Sequence, residues 1–95
     1  GDHFATIDLP SRALPLAAAR HLFRAISQQL RVRVHYYALT SGRAHWRWIS
    51  PHAFAHDGYR WHVRAYCHEE GSYKDFVIGR IEASEPPVAG EPPPI

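Results

Sequence analysis

A chain of 95 residues, 45% hydrophobic and 21% charged, has room for one small domain with a modest buried core. No apolar run approaches the roughly 18–20 residues that a membrane span needs, and the opening stretch GDHFATIDLP lacks the basic and apolar regions of a secretion signal. The net charge of +2 hides an asymmetry, because residues 82–95 carry Glu82, Glu85 and Glu91 and no base, leaving eleven basic against six acidic side chains elsewhere.

Residues 1–14 read as an arm of low periodicity. Pro15 then suits a first helical turn, where its missing N–H costs nothing. Leu16, Ala19, Leu22, Phe23, Ile26 and Leu30 follow three- and four-residue steps, which predicts an amphipathic helix over 16–30 with Arg20, Arg24 and Gln28 outside. RVRVHYYA, 31–38, alternates as a strand, and TSGR, 40–43, is a turn in which Gly42 can take positive φ. AHWRWIS, 44–50, alternates again with Trp46 and Trp48 on one side, and Pro51 ends that strand or marks an edge. After an Asp57-Gly58 turn, GYRWHVRAYC presents Trp61, Val63, Ala65 and Cys67 to a core and Arg60, His62, Arg64 and Tyr66 to the other side. A turn at Gly71 leads to YKDFVIGRI, 73–81. Short strands with short turns predict a small barrel or a strongly bent sheet, with Trp46, Trp48, Trp61 and Phe76 in its core. EASEPPVAGEPPPI cannot fold alone and reads as a linker. The division is therefore arm 1–14, domain 15–83 and Pro-rich tail 84–95.

The polar face of 60–66 holds two guanidiniums, an imidazole and a phenol with no acceptor among them. Arg33 or His35, His52 and Arg80 could join it. Such a face can grip phosphate through Arg and stack bases on Tyr or His. Ten of the eleven basic residues are Arg, the side chain whose planar fork fits phosphates and base edges. The competing view is a solvated basic face paired with Glu69, Glu70 or Asp75. His52 and His56 have an i, i+4 spacing, yet Pro51 and Asp57-Gly58 leave little helix to hold a metal between them, so no metal or other cofactor is expected. Ser50, Ser72 and Cys67 have His neighbours but no acid to complete a catalytic group. Cys67 has the parity of an inert core thiol. As the lone cysteine it excludes an internal disulfide, and it suits a reducing, cytoplasmic setting.

These residues resemble the WYL domain of bacterial transcriptional regulators. The resemblance runs over residues 16–82: Ala25-Ile26 near the helix end, Tyr36 in the first strand, Pro51 after the second, Trp61-His62-Val63 at the namesake tripeptide, Ala65-Tyr66-Cys67, and Phe76 through Arg80-Ile81. It implies a mostly β fold with one N-terminal helix, a small Sm-like or SH3-like five-stranded barrel. It also implies ligand sensing rather than catalysis, through a basic, aromatic groove formed here by Tyr36, His52, His62, Arg64 and Arg80. Arg60 and Tyr66 join that set from the polar face described above. The run PHAF…DGYRWHVRAYC looks most like repressors beside phage-defence genes, which act as homodimers. Two positions depart from the pattern: His62 stands where the family has Tyr, and Gly79 where an Asp often precedes the Arg. The expected function is sensing of single-stranded nucleic acid or a nucleotide-like anion, coupled to operator DNA through a helix-turn-helix that this chain does not contain. A dimerisation or assembly module without its own ligand is the alternative, and an RNA-cleaving pair such as His52 and His62 a third.

Overall fold

The computed structural model describes residues 15–94. Helix α1, Leu16–Gln28, follows Pro15, whose carbonyl accepts the Ala19 N–H at 2.9 Å. It buries Ala18, Leu22 and Ala25, one face at four- and three-residue steps. It ends where Gln29 turns left-handed (φ 57) and the Leu30 N–H returns to the Ala25 carbonyl at 2.8 Å, a Schellman closure. Leu30 then packs against the core. The apolar stripe predicted over 16–30 therefore continues two residues past the helix, because Leu30 supplies the apolar contact of the cap.

Five strands follow: β1 Val32–Ala38, β2 Arg43–His56, β3 Trp61–Cys67, β4 Ser72–Val77 and, after a short 3-10 turn at Ile78–Arg80, β5 Ile81–Ser84. All pairings are antiparallel, in the order β4-β3-β2-β1-β5. Gly42 and Gly71, both at φ 69, close two of the turns by donating to carbonyls four residues back. Helix α1 packs on β1, β2 and β5, and Val34, Ile49, Val63, Phe76 and Ile81 complete the core beneath it.

Several expectations change. The sheet is mostly β with one leading helix, as expected, but no ladder joins β4 to β5, so it is open rather than a closed barrel. The residues at the would-be seam, 78–80, are in 3-10 conformation and leave no extended backbone to pair. They still connect opposite edges of the sheet within about 14 Å of chain, so the sheet is strongly bent. Pro51 does not end its strand. β2 runs on to His56 because the register slips between Pro51 and Ala53, leaving His52 as an extra, bulged residue beside a proline that has no N–H to donate. Trp46 (37% exposed) and Trp61 (47%) are not core residues. Arg47 and Ile49 take the inward positions of β2, and Trp61 sits at the start of β3 with its ring 5.0 Å from that of His56. Phe76, at 1% exposed, is core as predicted.

The Pro-rich run read as a tail also lies on the domain. Arg31 and Val88 exchange backbone hydrogen bonds at 2.9 and 2.8 Å, and the Tyr73 hydroxyl donates to the Pro94 carbonyl at 2.8 Å.

Candidate ligand-binding groove

Antiparallel register places the polar residues of β3 in rows. Tyr66 stands between Ser50 and Tyr73, Arg64 between Ala53 and Asp75, and His62 between Ala55 and Val77. This face has its own acceptors, contrary to the expectation of an unneutralised surface. Asp57 Oδ2 meets His62 Nε2 at 2.7 Å, while Oδ1 accepts the backbone N–H groups of Arg60 and Tyr59 at 2.8 and 2.9 Å. The Arg60 N–H, then His62 and the Tyr59 N–H, hold the Asp57 carboxyl far below the usual carboxylate range. Arg64 Nη1 lies 3.3 Å from Asp75 Oδ1, with both side chains more than half exposed. Asp75 is thus the neutralising partner foreseen in the competing view of this face. An exposed pair of this kind contributes about 0–1 kcal/mol, so Arg64 is readily drawn to a better anion.

A groove of about 950 Å³ opens beside this face. The end of α1 and Arg31 form one wall, the bulge at Ser50–His52 with Arg64 and Tyr73 the other, and Gly90–Pro94 closes it. Aromatic rings run edge to face behind the second wall, His52 to Tyr73, Tyr73 to Tyr66 and Tyr66 to His68, with centroids 5.0–5.1 Å apart. Ser50, 7% exposed, shares a 2.7 Å hydrogen bond with His68 Nε2.

Of the seven predicted site residues, the groove brings together His52 and Arg64, with Tyr66 packed behind Tyr73. His62, Arg60 and Arg80 lie outside it. His62 faces Val77 near the 3-10 turn that carries Arg80, which has no carboxylate partner among the described residues. Tyr36 is not a surface residue at all. It is 6% exposed, its hydroxyl accepts the Val77 N–H at 3.0 Å, and Phe76 meets its ring edge-on. Arg31, Ser50, His68 and Tyr73 escaped prediction. Ser50 and Tyr73 could have been found from their register with Tyr66, whereas Arg31 depends on the fold of the tail. No group of three potential metal ligands occurs among the described residues, and no helix there is long and apolar enough to cross a membrane.

Burial, and then the nearby Arg31 charge, push the His68 imidazole below its ordinary 6.5. Protonation is thus penalised in the folded state. The associated stability is fully present above about pH 6.5 and is lost as the pH falls through the lowered folded value. An NMR titration should give His68 a midpoint below 6.5, and Arg31→Gln should raise that midpoint without restoring it fully, since burial remains.

Residues 17–86 match the family described as WYL domain. Over 70 residues the chain is 40% identical to the DNA-binding transcriptional repressor CapW of Escherichia coli strain KTE188, covering 74% of this chain and 23% of that protein. CapW of Stenotrophomonas maltophilia is 37% identical over 83 residues (87% of this chain, 28% of that protein). CapW of Pseudomonas aeruginosa is 46% identical over 61 residues (64% and 20%). The chain therefore spans between 20% and 28% of the length of these relatives. In fold it resembles the proteasome accessory factor B/C (PafBC) of Arthrobacter aurescens, with a TM-score of 0.73 at 21% identity over 90% of this chain and 13% of that one. One leading helix, a bent five-stranded antiparallel sheet and a family match across nearly all of both lead to one conclusion: the chain belongs to the WYL domain family.

Proposed function

We propose that this domain is the ligand-sensing part of a bacterial transcriptional repressor and that its groove takes single-stranded nucleic acid or a nucleotide-like anion. The observation that carries this is the meeting of Arg31, His52, Arg64 and Tyr73 in the lining of one groove. Guanidiniums supply charge-assisted hydrogen bonds to phosphate oxygens, and the His52 and Tyr73 rings offer stacking faces for bases. Arg64 exchanges its exposed Asp75 partner for phosphate at little cost. A longer strand would continue along β3 past His62 toward Arg80. The relatives are DNA-binding repressors by name, and operator contact would come from a helix-turn-helix elsewhere in a longer, dimeric protein. Ligand would then shift operator affinity by the difference in its own affinity for two arrangements of that dimer.

Labelled oligonucleotides titrated at moderate salt test this. Arg64→Ala and His52→Ala should each weaken binding by roughly tenfold, in line with stacking and phosphate contacts of about 1–3 kcal/mol, and the strand should be recovered uncut. Equal, weak binding of any polyanion by all three proteins would instead favour an assembly module. That second reading draws on Tyr59 and Trp61, 89% and 47% exposed at the end of the β2–β3 hairpin.

A further inference from the structure

Gly90–Pro94 does more than follow the last strand. Pro92 and Pro93 each precede another proline, so sterics hold this run extended, close to polyproline II, before it docks. Ordering it costs little entropy. It crosses the groove on two side-chain contacts to its backbone: Arg31 Nη2 donates to the Glu91 carbonyl at 3.1 Å and Tyr73 to the Pro94 carbonyl at 2.8 Å. Gly90 lies flat on the Arg31 side chain, where a Cβ would overlap Nε. Arg31 Nε is itself buried with no acceptor among the described residues. A guanidinium holding one neutral carbonyl, its second donor direction orphaned, is poorly served. A phosphate could satisfy Nε and Nη2 together with bonds about twice as strong.

From this we infer that Glu91–Pro94 is a strap docked in cis in the groove, and that an anionic ligand must displace it to reach Arg31 and Tyr73. The Arg31–Val88 backbone pair is the fixed end, and Gly90 is the point where the strap lifts. The inference rests on the proposed ligand-binding role and adds its regulation: the strap sets apparent affinity through the fraction of molecules in which it is open.

The test uses the full chain, wild type against the combined Pro92→Gly, Pro93→Gly, Pro94→Gly variant and against Gly90→Ala. The probes are a fluorescein-labelled oligothymidylate and the NMR exchange rate of the Arg31 Nε–H. Both variants should speed that exchange and tighten oligothymidylate binding by about tenfold, the gain expected if the strap is open in about a tenth of wild-type molecules. Faster exchange with unchanged affinity would overturn the competition while leaving the ligand-binding role standing. Unchanged exchange in both variants would show that the strap does not seal Arg31 and would sink the inference directly. No binding by any of the three proteins would remove the ligand-binding role, and the competition with it.

Discussion

Phe76→Ala should destabilise the domain by about 3–5 kcal/mol, a large share of the roughly 5–15 kcal/mol that a folded domain has in total. Phe76 is the largest fully buried side chain among the described residues and sits on an edge strand. It faces Val63 across the β3–β4 ladder and meets the Tyr36 ring edge-on at 4.9 Å. Truncation loses that contact and opens a cavity between the 3-10 turn and β1 that the short β4 cannot close. Urea denaturation should show a lower midpoint at unchanged slope, the mark of a stability change rather than of a looser unfolded state. Phe76→Leu, which nearly conserves volume, should cost under about 1.5 kcal/mol. A loss below about 1 kcal/mol for the alanine variant would mean that the core is not organised around this ring.

What was legible in the sequence is what depends on periodicity. The alternation of Val32, Val34 and Tyr36, and of Val63, Ala65 and Cys67, maps onto buried faces. The helix stripe does so only in part: Leu22 is buried and Ile26 and Leu30 pack against the core, but Leu16 and Phe23 are 61% and 65% exposed, and Ala18 and Ala25 take the inward positions. Parity failed where a face continues past the layer that covers it. Trp61 shares the parity of Val63 but lies beyond the packed end of the sheet. It also failed in β2, where AHWRWIS alternates two tryptophans against an arginine and an isoleucine. Hydrophobicity favours the tryptophans for the core. Arg47 goes inward instead, its guanidinium near the Tyr36 ring (5.7 Å) and 3.7 Å from Glu70, so its stem is buried while the charge finds a partner. Pro51 looked like a terminator because a proline cannot donate within a ladder. A bulge needs that donor no more than an edge does, and composition does not distinguish them.

The site was harder to read because it is made by register and by the tail. The opposition of Asp75 to Arg64 follows from strand pairing, and the bond from Asp57 to His62 follows from a turn that folds five residues back on themselves. Neither is visible from one strand read alone. The composition of 84–95 implies a segment that cannot fold unaided. That property does not prevent a stiff proline run from docking on side chains that the rest of the chain has already ordered, which is how Arg31 and Tyr73, from opposite walls of the groove, both come to hold it.

Tyr36 separates core from site most sharply, because the family resemblance implies a ligand contact there while its surroundings make it structural. Tyr36→Ala should cost about 3–5 kcal/mol, as for other buried aromatics cut back to alanine. Tyr36→Phe keeps the ring and removes only the acceptor for the Val77 N–H. Leaving that donor unpaired at a position 7% exposed should cost about 1–3 kcal/mol. Because the Tyr36 ring is 6% exposed, packed T-shaped with Phe76 and with the Arg47 guanidinium 5.7 Å from its centroid, no base can stack there, so the folded Tyr36→Phe protein should bind oligonucleotide as tightly as wild type. A double-mutant cycle with Phe76→Leu should show coupling between the two rings, since contacting residues do not behave additively. If Tyr36→Phe instead kept full stability and lost binding as Arg64→Ala is expected to, the phenol would have to reach ligand from inside the core. The groove beside the β2 bulge would then be the wrong place to look.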